Sequence, residues 1–188
     1  MSRHGVRARG ESGFTLVELL MAIVISGFII APLTGGLIVG LRTTDETASR
    51  LTGSNDAQIL SVWLPPDIQS VGNLVGDVVY SPTVNTECTG ISNRLRLKWR
   101  ETQGSTTNNY VAAYAIVAAS NNRWFLQRYL CVNGGAATTH VVSRNLASST
   151  ATSVTASGTK ISMTVTEAAT PTDPTSYTFT VSGNRRTT

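Results

Sequence analysis

A run of 23 residues without a charged side chain, Leu19 to Leu41, constrains the fold of this chain more than any other feature of the sequence. Phe14 to Val17 extends this apolar run on its N-terminal side. About 20 residues of α-helix are enough to cross the hydrocarbon core of a bilayer. The sequence therefore predicts one transmembrane helix and leaves most of the remaining residues to form a domain in water.

The charges that flank the apolar run predict its orientation. Arg3, Arg7 and Arg9 precede the run, whereas Asp45 and Glu46 follow it. Because basic residues are retained on the cytoplasmic side, we expect the N-terminus in the cytoplasm and the chain after the run outside. The run is longer than the apolar core of a secretory signal peptide, and no small-residue cleavage site follows it, so a signal of that type is not predicted.

Glu18 places a carboxyl group inside the apolar segment. A charge at membrane depth costs roughly 3 kcal/mol in insertion experiments, so it is normally functional and has a partner. The alternative is an acid that reaches toward the cytoplasmic interface.

The segment from Gly13 to Ile23, GFTLVELLMAI, resembles the class III signal of type IV pilins and type II secretion pseudopilins at every position of the motif. The resemblance implies that a prepilin peptidase cuts after Gly13 and methylates the new N-terminus at Phe14. It also implies that Glu18, with Thr15 in the same motif, acts in assembly, where Glu18 pairs with the N-terminal amine of a neighbouring subunit. The implied partners are the peptidase, other pilin subunits, an inner-membrane assembly platform and membrane lipid before assembly.

The helix is predicted to continue beyond the membrane, as one element from Phe14 to Leu64. Apolar residues recur near a helical period in its exported part, and their stripe needs a covering domain. These residues are Ala48, Leu51, Ile59, Val62 and Trp63. Pro32 is expected to kink the membrane segment, or else to be one of the prolines that are common in such helices. Pro65 and Pro66 are expected to end or kink the helix, with one further turn to Val71.

From residue 94 onward the apolar period changes to two, which predicts antiparallel strands. Seven β-rich runs lie at 94–100, 110–118, 123–132, 140–146, 153–156, 160–166 and 176–181. Gly158 is predicted to lie in a hairpin turn. A long helix followed by antiparallel strands predicts an α+β fold, and the resemblance implies the pilin fold, in which the sheet packs on the exported half of the helix.

The order of these elements divides the chain into four predicted parts. They are a cleaved basic leader (1–13), a transmembrane or filament-core helix (14–41), an exported helix half (42–71) and a β-sheet head domain (72–188). The phrases LRLKW, YAIV and WFLQRY in the predicted strands are similar to the sheet of the J and W types of minor pilin, which implies a minor subunit. The expected location is the cytoplasmic membrane, followed by an extracellular or cell-surface filament.

Cys88 and Cys131 fall in the exported part, where an oxidising compartment would allow one disulfide between them. The alternative is a pair of free thiols. Two cysteines are too few for a structural zinc site, and the only histidines are His4 and His140. The sequence therefore predicts no metal site and no cofactor.

A cationic row is predicted on the outer face of the first strand, from Arg94, Arg96, Lys98 and Arg100. Such a row could contact the phosphates of DNA, mediate contacts between subunits, or be simply solvated. The first use defines the alternative function, a filament-tethered or membrane-tethered module that binds DNA, a glycan or a surface.

Catalytic motifs are missing from the sequence of the exported part. It contains no G-x-S-x-G, no glycine-rich phosphate loop and no closely spaced carboxylate motif. The sequence therefore predicts a structural subunit and no enzyme, and an exported enzyme on an uncleaved anchor is the weakest alternative.

Overall fold

The computed structural model describes residues 15–72, 77–80, 83–84, 88, 90, 92–120, 123–169 and 176–186. The whole predicted leader, which ends at Gly13, and the following residue Phe14 lie outside the described residues. The chain forms two compact units, Met1–Thr44 and Asp45–Thr188.

The described residues form one helix and ten strands. The helix α1 spans Leu16–Ser70. The strands are β1 (Val78–Val79), β2 (Thr83–Val84), β3 (Ser92–Asn93), β4 (Leu95–Gln103), β5 (Thr106–Ala118), β6 (Trp124–Val132), β7 (Thr138–Leu146), β8 (Thr152–Ser157), β9 (Lys160–Thr166) and β10 (Thr178–Asn184). Five strands form an antiparallel sheet in the order β1-β4-β5-β6-β7, three form a second sheet in the order β10-β9-β8, and β2 pairs with β3. The predicted α+β class is therefore confirmed.

All seven predicted strands are present, as β4 to β10. Their period of two follows from burial on one face, as in β4, where Leu95, Leu97 and Trp99 are buried and the residues between them are not. Gly158 lies in the β8–β9 turn with a φ of 59°, a conformation that glycine adopts without strain. The division into two larger sheets was not predicted: β7 and β8 do not pair, and a single bridge from Leu146 to Glu167 joins the two sheets instead.

The buried face of α1 in the second unit differs from the predicted stripe. Leu60, Leu64 and Ile68 recur every fourth residue and are completely buried. They pack on the strands in the hydrophobic core. Leu51 and Val62, which belonged to the predicted stripe, are 64 % and 63 % exposed, so that part of the prediction is wrong. The buried face also carries two aspartates, Asp56 and Asp67, so it does not read as an apolar stripe in the sequence.

The helix also continues past Pro65 and Pro66 and ends at Ser70, so it does not end at these prolines, and the further turn expected after them is present. A proline in a helix removes one backbone hydrogen bond. The neighbouring Leu64 and Ile68 are completely buried, and their packing holds the backbone in the helical conformation. Pro32 likewise lies within α1 and does not end it.

Gly183 of β10 lets that strand approach the helix closely at Pro65. A β-carbon at this position would lie 3.0 Å from the α-carbon of Pro65 and 3.1 Å from the β-carbon of Ile68. Such separations are too short for ordinary van der Waals contact. The absence of a side chain at Gly183 therefore sets the distance between β10 and the helix.

Replacing Gly183 with valine is expected to lower the free energy of unfolding by about 1–3 kcal/mol, because the added methyl groups overpack the contact with the helix. Ser182→Val is the matched control, since Ser182 is the exposed neighbour on the opposite face of β10. The control should change stability by less than about 0.5 kcal/mol. Chemical denaturation of the full chain in detergent, followed by circular dichroism, measures both; equal losses would show that the close approach is unimportant.

Candidate functional site

Thr15 and Glu18 form a reciprocal hydrogen-bonded box at the start of α1. The backbone N–H and the hydroxyl of Thr15 donate to Oε2 of Glu18 at 3.0 Å and 2.9 Å. The backbone N–H of Glu18 donates to Oγ1 of Thr15 at 3.3 Å. This is the geometry of a capping box, in which the first residue before the helix and the third residue within it satisfy each other's free groups. Both residues are exposed.

The segment after this box, Leu16–Leu41, is long and apolar enough to cross a membrane. All of its residues are exposed, and its large apolar side chains range from Val24 at 46 % to Leu16 at 79 %. Gly35, Gly36 and Gly40 leave the helix surface open, since a β-carbon there would meet no atom within 4 Å. Exposed apolar surface of this extent needs lipid or other protein chains as its environment.

A buried ion pair fixes the C-terminal end of α1 to the five-stranded sheet. Arg128 of β6 donates from Nε to Oδ2 of Asp67 at 2.7 Å and from Nη2 to Oδ1 at 2.6 Å. The hydroxyl of Tyr114 in β5 donates to the same Oδ2 at 2.7 Å. The side chains of Arg128 and Asp67 are 4 % and 7 % exposed. This two-point geometry is the strongest that an arginine makes with a carboxylate.

The surroundings of Arg128 and Tyr114 keep both side chains protonated. Burial disfavours the charged guanidinium, but the hydrogen bond and the charge of Asp67 outweigh it and raise the pKa of Arg128. Burial, followed by the charge of Asp67, raises the pKa of Tyr114 well above its usual value, so its hydroxyl remains a donor. The ring of Trp63 covers the guanidinium at 4.6 Å and stacks on His140 at 4.8 Å between centroids.

The predicted disulfide is present: Cys88 is bonded to Cys131 of β6, with α-carbons 5.5 Å apart. Cys131 is completely buried and lies on the face of the sheet that is turned away from the hydrophobic core with the helix. Val111 and Ala113 of β5 are buried on that same face. The chain before β4 is therefore attached covalently to the outer face of the sheet.

The predicted cationic row is not a single solvated surface. Arg94 lies just before β4, and its guanidinium donates to the backbone carbonyl of Ser149. Arg96 and Lys98 are half-buried, and Arg100 is exposed. A role of the row in contact with DNA stays a prediction, and the engagement of Arg94 with the protein's own backbone speaks for a structural use of at least this member.

Metal-ligating side chains do not cluster in the described parts of the chain. Among them, no cluster of three or more His, Cys, Asp or Glu side chains could hold a metal ion. His140, the histidine of the strands, is engaged in the stack with Trp63.

Sequence reasoning missed the cluster of Asp67, Arg128 and Tyr114. One signal could have indicated it. Arg128 occupies an inward position of β6 in the period-two pattern, and an inward arginine requires a carboxylate.

Sequence reasoning also missed the capping box of Thr15 and Glu18. The spacing Thr15-x-x-Glu18 is the signature of such a box, which sequence analysis alone could have found.

Residues 8–34 match the family model of the prokaryotic N-terminal methylation motif. This motif is the class III prepilin signal, and it here precedes and enters an apolar helix. It indicates a precursor of the type IV pilin or pseudopilin kind, hence a structural subunit rather than an enzyme, anchored in a membrane and exposed at the surface. The chain matches no curated protein and no solved structure.

Replacing Asp67 with alanine is expected to lower the free energy of unfolding by about 3–5 kcal/mol, because it leaves the charge of Arg128 buried and unpaired. The double variant Asp67→Ala, Arg128→Met should lose less than the sum of the two single variants, since it removes both charges. Arg100→Met, which removes an exposed cation on β4 of the same sheet, is the control and should change stability little. Denaturant unfolding measures the cycle, and additive losses would contradict the coupling.

Proposed function

We propose that this chain is a prepilin that becomes a minor subunit of a type IV pilus or of a type II secretion-like filament. The observation that carries the proposal is the methylation motif at residues 8–34, which opens a fully exposed apolar helix with one acid in its first turn. An ordinary membrane anchor has no need of an acid at this depth, whereas a helix that assembles with copies of itself does.

Processing by a prepilin peptidase is the first step. The peptidase cuts after Gly13 and methylates the new N-terminus at Phe14. The precursor enters the cytoplasmic membrane with its N-terminus in the cytoplasm, as the basic residues before the helix favour. The parts of the chain are then the leader 1–13, the membrane and filament-core helix 14–41, the exported helix half 42–71 and the head 72–188.

Assembly follows from the charge of Glu18. Once the leader is removed, Phe14 carries an ammonium group one residue before Thr15. Within its own chain Glu18 accepts both hydrogen bonds from Thr15 on Oε2, so Oε1 can accept one from the ammonium group of a neighbouring subunit. The two charges neutralise each other only when the subunits are staggered by the matching distance, and this requirement sets the register of the filament.

The proposal of a minor subunit is based on three sequence segments in the five-stranded sheet. The phrases LRLKW, YAIV and WFLQRY, which resemble the J and W types of minor pilin, occupy β4, β5 and β6. These strands form the centre of the five-stranded sheet, and β5 and β6 carry the side chains that bind Asp67 of the helix. In this proposal the head faces outward and determines what the filament touches, while the helix supplies the filament core.

Mass spectrometry of the N-terminus tests the proposal directly. The protein is taken from cells with their own peptidase and from filaments sheared off the surface. We expect a chain that begins with N-methylated Phe14 in the sheared fraction. An intact N-terminus at Met1 or Ser2, found only in membranes, would overturn the proposal and leave a membrane-tethered domain.

Two variants separate the charge of Glu18 from its role in capping the helix. Glu18→Gln keeps a side-chain acceptor for the capping box but removes the charge, whereas Thr15→Ala keeps the charge but removes the hydroxyl. We expect Glu18→Gln to be cut and methylated normally but to fall more than about tenfold in sheared filaments, since the partner ammonium loses its counter-ion.

Thr15→Ala serves as the matched control and should still enter filaments, with only the cost of a lost cap, about 0.5–2 kcal/mol in helix stability. Quantitative immunoblotting of sheared and membrane fractions measures both variants. Normal incorporation of Glu18→Gln would show that the residue acts only as a helix cap.

A further inference from the structure

Two carboxyl groups meet where the helix of the second unit lies against the junction of the two larger sheets. Asp56 belongs to α1 and is 1 % exposed, and Glu167 follows β9 and is 4 % exposed. Glu167 is the residue that bridges to Leu146 at the end of β7, so it sits where the two sheets join. Neither carboxyl group takes part in the proposed processing or assembly.

Hydrogen bonds hold both groups in place. The backbone N–H of Arg144 donates to Oδ2 of Asp56 at 2.9 Å. The hydroxyl of Ser143 donates to Oε1 of Glu167 at 3.2 Å. The two carboxyl groups are neighbours, because their donors Ser143 and Arg144 are consecutive in β7 and Oε2 of Glu167 lies against Gly53, one helix turn before Asp56. Because ionised carboxylates only accept hydrogen bonds, two buried neighbours of this kind can bond to each other only when one of them carries a proton.

Within the part of the chain that the structure describes, no ion pair joins a cation to either carboxyl group. From β7 the pair receives a hydroxyl and a backbone N–H, and the side chain of Arg144 is itself exposed. From the segment before β10 it is covered by the ring of Tyr177, and from α1 by Gly53. A β-carbon at Gly53 would lie 2.9 Å from Oε2 of Glu167, so the carboxyl group rests on the helix backbone.

The other buried aspartate of α1, Asp67, differs from Asp56 because it forms an ion pair with Arg128. Burial, then the charge of Asp56 and the hydrogen bond with it, raise the pKa of Glu167 from 4.5 to about 7, against a smaller opposite effect of Ser143. A bound proton therefore removes the negative charge at Glu167, whereas the guanidinium of Arg128 balances the negative charge of Asp67.

We propose that Asp56 and Glu167 share one proton, and that this proton holds the helix turn around Asp56 against the junction of the two sheets, as a pH-responsive latch of the second unit. The proposal does not depend on the function proposed above. Loss of the proton leaves two buried carboxylates facing each other, and their repulsion loosens the helix from the sheets.

The direction of the pH effect follows from linkage. Glu167 binds its proton more tightly in the folded chain than in the unfolded chain, so the stabilisation is fully present below pH 4.5 and is lost as the pH rises through about 7. The window lies between these two values. Arg128, whose pKa is raised from a value already far above this window, keeps its charge across it and does not contribute to the change.

Thermal unfolding of the full chain in detergent tests the latch with two variants. Glu167→Gln removes the titrating group but keeps an amide that can donate to Asp56, and Glu101→Gln removes an exposed carboxyl group on β4 as the matched control. The melting temperature of the unsubstituted chain should fall by about 5–10 °C between about pH 5 and about pH 8. Glu101→Gln should follow it, whereas Glu167→Gln should change by less than about 2 °C. Equal slopes in all three proteins would overturn the proposal.

A second measurement does not depend on whether the variant folds. In the unsubstituted chain labelled with ¹³C at the aspartate and glutamate carboxyl groups, NMR titration should show a carboxyl carbon of the pair whose midpoint lies near pH 7. Titration of every aspartate and glutamate near its ordinary value would show that no proton is shared and would overturn the latch.

Discussion

The buried ion pair between Asp67 and Arg128 is the contact on which the arrangement of the second unit depends. Asp67 comes from the last turns of the helix, Arg128 from the middle of β6, and Tyr114 from β5, so one carboxylate joins three elements. Unlike apolar packing, which accepts many relative positions, a two-point arginine contact accepts one. The surrounding leucines supply burial energy, and the ion pair selects the position of the helix on the sheet.

The helix α1 contributes residues to both units, and the exposure of its side chains differs between them. Among the described residues of the first unit the apolar side chains lie on every side of the helix and are exposed, as expected of a segment whose environment is lipid or neighbouring helices. In the second unit one face alone is buried, and it carries Asp56 and Asp67 among its leucines. The methylation motif belongs to the first unit, and the polar contacts between the helix and the sheets belong to the second.

Much of the fold could be predicted from the sequence, because its signals are local. The strands β4 to β10 were predicted from a period of two, and the prepilin signal from eleven adjacent residues. The buried face of the helix was predicted wrongly, since apolar residues such as Leu51 point outward while the acids point inward. The pairs Asp67 with Arg128 and Asp56 with Glu167 join residues far apart in the chain, and no local pattern encodes such partners.

The disulfide between Cys88 and Cys131 closes a covalent loop that contains the whole β4–β5 hairpin. The turn of that hairpin, at Gly104 and Ser105, is exposed together with the residues on either side, and exposed turns of small residues are where proteases cut first. A single cut there would fall inside the closed loop. The two fragments would remain joined through sulfur as well as through the sheet, so a nicked subunit would keep its shape until the bond between the cysteines was reduced.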